Sequence, residues 1–115
     1  MGAIMEISKR KEKDAQVISL KGRLDAVTTP LLEKDLTELM AGGERFLVLN
    51  LGDLEYISSA GLRTILAVTK KLREKQGRLL LASLKSVVRE VFDISGFSSI
   101  IPIFESVDAA ISSPR

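Results

Sequence analysis

Phe46-Leu47-Val48-Leu49-Asn50-Leu51 and, shortly after it, Tyr56-Ile57-Ser58-Ser59-Ala60-Gly61-Leu62 form the stretch whose reading decides the fold. The first run is nearly continuous in apolar residues, the pattern of a strand covered on both faces. The second opens an amphipathic pattern that predicts a helix from about Ser59 to Gln76. Leu62, Ile65, Leu66, Thr69 and Leu72 share one face of it, and Gly77 is the stop. Two hydroxyls therefore fall where a strand ends and a helix begins, beside a small Ala60-Gly61 step. A helix start carries unpaired backbone N–H groups and the positive end of the macrodipole. A phosphate on Ser58 or Ser59 is well tolerated in such a place.

Working outward, Met5 to Lys9 alternates apolar and polar residues as a half-buried strand does. The basic cluster Lys9-Arg10-Lys11-Glu12-Lys13 is expected to turn the chain into a second, antiparallel strand over Gln16–Gly22. Thr29 before Pro30 reads as the N-cap of a first helix, with Leu32, Leu36, Leu39 and Met40 at helical spacing and Gly42-Gly43 at its end. Downstream, Leu79-Leu80-Leu81-Ala82 is a buried strand. Ser83 is expected to cap a third helix striped by Leu84, Val87, Val88, Val91 and Phe92 and ended by Gly96. Ile100 to Phe104 reads as a short strand around Pro102, and Val107 to Ile111 as a terminal helix.

The order is β-β-α-β-α-β-α-β-α, which predicts an α/β fold. The sheet is mixed and four- to five-stranded, with an N-terminal antiparallel hairpin, parallel strands joined by right-handed crossovers, and about four helices. In such open sheets working residues gather beyond the carboxyl ends of the parallel strands. Asp25, Asp53, Ser58, Ser59 and Ser83 are all expected there, along one edge.

Composition narrows the chemistry. The 115 residues are expected to form one domain over positions 1–115, and 45% apolar content is enough for one core. No apolar run is long enough for a membrane helix. Met1-Gly2-Ala3-Ile4-Met5-Glu6 has neither a signal-peptide layout nor a myristoylation pattern. The chain has no cysteine and no histidine, so a cytoplasmic location fits, and neither a metal site nor any cofactor is expected. A Ser-His-Asp or Cys-His site cannot be built from it, and Gly-x-Ser-x-Gly is absent, so an enzyme is not expected. Seventeen basic and 15 acidic residues nearly cancel to a formal +2, and the basic cluster has no interleaved aromatic, so nucleic acid is not an expected partner.

With this order and the serine run in hand, the chain resembles the STAS domain of bacterial anti-sigma factor antagonists over nearly its whole length. Gly22-Arg23-Leu24-Asp25 is similar to the family's Gly-x-Leu-Asp, and Val48-Leu49-Asn50-Leu51-Gly52-Asp53-Leu54 to its strand and exit. Ile57-Ser58-Ser59-Ala60-Gly61-Leu62 resembles its Ile-Asp-Ser-(Ser/Thr/Ala)-Gly-Leu; Ser83 and Ser95-Gly96-Phe97 match later positions more loosely. The resemblance implies a regulatory module that binds an anti-sigma factor with serine-kinase activity and so releases a sigma factor. Phosphorylation by that kinase switches it off, and a PP2C-type phosphatase resets it. Aligning Gly61 and Leu62 places the acceptor on Ser59, with Ser58 as a secondary candidate. One departure stands out: Ser58 occupies the position of the family's aspartate. A STAS scaffold or adaptor in a transporter or stress-signalling complex, never phosphorylated, is the alternative reading.

Each residue also has a plainer reading. Ser59 or Ser58 serves as a helix cap; Asp25 satisfies a turn with its own side chain or lies on the partner-binding edge. Asp53 is a loop residue after a strand or lies beside the switch. Gly61 permits close approach to the helix. Arg63 pairs with phosphate or is simply solvated. Together Asp25, Asp53, Ser58, Ser59, Gly61 and Arg63 make up the expected partner-binding surface, and the sequence leaves self-association open.

Overall fold

The computed structural model describes residues 5–114; the expectations placed on Met1-Gly2-Ala3-Ile4 lie outside the described residues. The strands are β1 (Glu6–Glu12), β2 (Ala15–Leu24), β3 (Phe46–Ile57), β4 (Arg78–Ala82) and β5 (Ile103–Phe104). The helices are α1 (Thr29–Ala41), α2 (Ser59–Glu74), α3 (Ser86–Ser95) and α4 (Val107–Ser112). All five strands form one sheet in the order β1-β2-β3-β4-β5. The β1–β2 pair is antiparallel and the others are parallel, as the alternation of strands and helices requires.

The two faces of the sheet bury different sets of side chains. Leu47, Leu49, Leu51 and Leu54 of β3 pack with Leu32 and Leu36 of α1, Ile65 and Leu72 of α2, and Val88 and Phe92 of α3. Val17, Phe46, Val48 and Leu80 pack instead with Ala110 and Ile111 of α4. Three crossovers of one hand put α1, α2 and α3 on the same side, and α4 covers part of the other.

Four local expectations are corrected. Only the last residue of the basic cluster turns the chain: Lys9, Arg10, Lys11 and Glu12 lie within β1, and the turn is Lys13-Asp14, with Lys13 at φ 58°. Charged side chains suit an edge strand, and here Lys9 pairs with Asp35 at 3.6 Å and Lys11 with Glu44 at 2.6 Å. Ser83 does not cap α3. It leaves β4 at φ 66° with its N–H donated to the Phe104 carbonyl, and α3 begins only at Ser86. Thr29 is already the first helical residue of α1, with Thr28 at the cap position.

The fourth correction bears on function. β3 does not end near Leu51 but continues to Ile57, so Asp53 is a strand residue opposite Lys21 and not part of a loop. The pairing advances from Ser19↔Asn50 to Lys21↔Asp53, and from Gly22↔Leu54 to Arg23↔Tyr56, so β3 carries an extra residue at two places. Each such bulge shifts the alternation of side chains by one. That is why Leu51, Leu54 and Ile57 are all buried on one side, at a spacing that no regular strand has.

Candidate functional site

The second bulged stretch delivers the chain to the carboxyl end of β3, where α2 starts. Ser58 is extended (φ −91°, ψ 170°) and is held from three directions. Its N–H donates to the Leu24 carbonyl at 2.8 Å, its Oγ accepts the Gly61 N–H at 3.2 Å, and its carbonyl accepts the Leu62 N–H at 3.0 Å. Ser58 is therefore the N-cap, a role worth about 1 kcal/mol. Ser59, the next residue, is the first of the helix and is exposed. Arg63 is exposed one turn further on, and residues at this spacing share a helix face. The first turn of α2 holds no acidic residue.

Gly61 fixes how closely α2 approaches β2. A Cβ there would stand 2.8 Å from Leu24 Cδ2, 2.9 Å from Leu24 Cγ and 3.1 Å from Ile57 Cγ1. Both leucine atoms lie inside van der Waals contact, and Leu24 is fully buried. Leu24 therefore ties the end of β2 to the start of α2 by its carbonyl and by its side chain.

Immediately after Leu24 the chain makes a closed turn. Asp25 Oδ1 accepts the N–H groups of Val27 and Thr28, both at 3.0 Å. Thr28 Oγ1 accepts the Asp25 N–H at 2.9 Å and donates to the Arg23 carbonyl at 2.7 Å. The Thr28 N–H, foremost, holds the Asp25 carboxyl below the usual carboxylate range, with smaller help from Val27 and Arg23 against partial burial. The carboxylate of Asp25 thus does turn work.

The structure brings Asp25, Ser58, Ser59, Gly61 and Arg63 together around the carboxyl ends of β2 and β3. It does not bring Asp53 there. Asp53 faces, with Ser8, Ser19 and Lys21, a shallow hollow of about 220 Å³ on the side of the sheet that carries α4. Ser83 stands at the exit of β4, beside Leu84, Arg89 and Phe104.

Three residues of this rim were not singled out from the sequence. Val27 is 80% exposed, Leu31 53% and Tyr56 41%. The Arg23 guanidinium lies 4.2 Å from the centroid of the Tyr56 ring, and the two residues are partners across β2 and β3. Leu31 falls outside the Leu32, Leu36, Leu39, Met40 stripe, and that mismatch was the available signal. Among the described residues no helix is long and apolar enough to cross a membrane, and no group of three or more acidic, histidine or cysteine residues could hold a metal ion.

Comparison with known proteins places these features in a lineage. The STAS domain family model matches residues 6–110. The BtrV protein of Bordetella bronchiseptica, provisionally named an anti-sigma factor antagonist, is 46% identical over 106 residues, covering 92% of this chain and 91% of that protein. Among solved structures, an anti-sigma factor antagonist from Mycobacterium paratuberculosis superposes with a TM-score of 0.87 at 24% identity, over 94% of this chain and 92% of the other. The unphosphorylated form of the anti-sigma factor antagonist SpoIIAA superposes with a TM-score of 0.80 at 22% identity, over 92% and 93% of the two chains. Both structural likenesses carry the fold. Proteins of this kind are regulatory and not enzymes.

Proposed function

The chain belongs to the STAS domain family, and from that premise we propose that it is an anti-sigma factor antagonist switched by phosphorylation of Ser59. In this reading the rim around Asp25, Ser58, Ser59, Gly61 and Arg63 docks on an anti-sigma factor with serine-kinase activity, freeing a sigma factor. Phosphorylation disengages the surface, and a PP2C-type phosphatase restores it.

The carrying observation is the division of labour between the two serines. The Ser58 hydroxyl is committed to the helix cap and its backbone to Leu24 and Leu62, whereas Ser59 is exposed at the first position of α2. A kinase reaches Ser59 without dismantling the cap. A phosphate adds about −1.5 to −2 charge, in a place where the helix dipole favours it. Arg63 on the same face supplies a cation for it. The cap is kept through the modification while the docking surface gains negative charge, which is what a reversible switch requires.

Pull-down from the source cell with wild-type, Ser59→Ala and Ser59→Asp baits, read by mass spectrometry, tests the proposal. A kinase-type partner is expected with the wild-type and Ala baits and is lost with Asp. Equal recovery on Ala and Asp would sink it. The alternative, an unphosphorylated scaffold or adaptor, draws on one observation: neither position 58 nor the first turn of α2 carries an acidic residue for a kinase to read next to Ser59. Phosphate absent from Ser58 and Ser59 under signalling conditions would favour that reading.

A further inference from the structure

Two helices of this molecule start in the same way. Ser58 and Ser106 are extended (φ −91°, ψ 170° and φ −150°, ψ 162°), and each accepts an N–H from three residues on, Gly61 at 3.2 Å and Ala109 at 3.0 Å. The start of α1 differs. Its cap residue Thr28 is helical in backbone (φ −88°, ψ −21°) and makes no capping bond, because Asp25 and Arg23 engage its hydroxyl. The next hydroxyl, Thr29 Oγ1, is buried without a hydrogen-bond partner in a residue only 5% exposed. A buried polar atom left unpaired is a cost that native structures seldom leave unexplained. Thr29 is also helical directly before Pro30, where the proline ring crowds the preceding residue and favours extended backbone. Finally, the bond from the Leu32 N–H to the Thr28 carbonyl is long, at 3.4 Å.

One rearrangement answers all three observations. We infer that α1 has a two-state start, in which the described arrangement exchanges with one where Thr29 turns extended and caps the helix itself. Thr29 Oγ1 then accepts the Leu32 N–H. Pro30 becomes the first helical residue, a position where its missing N–H is no loss. The exchange gives up the bonds from the Thr29 N–H to the Asp25 carbonyl (2.9 Å) and from the Leu31 N–H to the Thr28 carbonyl (3.0 Å). Two backbone bonds are given up for one capping bond, and pairing the buried hydroxyl and relieving the crowding at Pro30 offset the difference, so that in this proposal both states are populated. The segment that moves carries Val27 and Leu31 and joins Leu24, whose carbonyl holds Ser58. A partner that prefers one state shifts the other; this last link rests on the docking reading, and the exchange itself does not.

Relaxation dispersion at backbone amides of the purified chain tests it. The wild type is expected to show microsecond-to-millisecond exchange at Val27, Thr28, Leu31 and Leu32 and none at Ser58 and Gly61. Thr29→Val keeps the shape but removes the capping oxygen, and the exchange is expected to vanish. Thr29→Ser keeps the oxygen and the exchange. Pro30→Ala relieves the crowding without touching the hydroxyl, and is expected to reduce the exchange. Flat profiles in the wild type, or undiminished exchange in both Thr29→Val and Pro30→Ala, would overturn the inference. Neither outcome touches the pull-down result, so the two readings fail separately.

Discussion

The starts of α1 and α2 stand at the exits of neighbouring parallel strands, and they meet the same requirement differently. At α2 every polar group of Ser58 has a partner, and Gly61 leaves no slack against Leu24. At α1 the cap residue does not cap, the next hydroxyl is orphaned, and a proline disfavours the backbone in place. One start is over-determined and the other is under-determined. On the proposed function, this contrast presents the acceptor Ser59 rigidly while the neighbouring docking turn adapts to its partner. Rigid presentation lowers the ordering cost of recognition, and an adjustable turn lets the same rim be engaged and released.

The contrast can be broken or sharpened by substitution. The largest effect is expected at Leu24, the anchor common to both starts. Leu24→Ala removes a fully buried side chain and should lower the unfolding free energy by about 2–5 kcal/mol in urea titration. A cost below about 1 kcal/mol would show that the starts do not lean on one anchor. Next comes Gly61→Val, which forces Leu24 aside and should cost about 1–3 kcal/mol by overpacking.

Ser58→Ala loses the capping oxygen and should cost about 1 kcal/mol, while Ser58→Asp, also a good cap, should retain stability. Thr29→Val, by contrast, is expected to leave the melting temperature unchanged or raise it, because a buried unpaired hydroxyl is replaced by a methyl group. Opposite responses at the two starts sharpen the comparison, and equal losses would break it.

The smallest effect concerns pH. The Asp25 carboxyl has its folded pKa lowered, chiefly by the Thr28 N–H. A group lowered on folding stabilises the fold above its unfolded value, about 3.9. That contribution is lost as pH falls through the folded value. Acid titration of wild type against Asp25→Asn should therefore show the wild type losing more stability below about pH 4. Parallel acid curves would remove the carboxylate from the turn.

Much of this was legible in the sequence, for identifiable reasons. The α2 start was readable because a hydroxyl pair, a glycine and a helical stripe stand in one short run, and each is a local signal. The run of β3 past Leu51 was not readable. Its alternation is broken at two bulges, and the position of a bulge depends on how β2 pairs with it. Asp53 was misplaced by the same break. Ser83 has the composition of a cap, yet the β5 backbone claims its N–H. At Lys9 and Lys11 the basic run looked like a turn, because their partners Asp35 and Glu44 lie far along the chain.

By itself the sequence determined the order of elements, the parallel crossovers and the hydroxyl pair at the start of α2. These follow from periodicity and from residues whose preferences act within a few positions. Only the tertiary structure decided which serine is spent on the cap and which is presented. It also turned Asp53 to the far side of the sheet and left the Thr29 hydroxyl without a partner. The physical reason is that these outcomes hang on contacts between distant segments. Leu24 against Gly61, β2 against the bulges of β3, and Asp25 against Thr28 and Arg23 exist only once the sheet has closed.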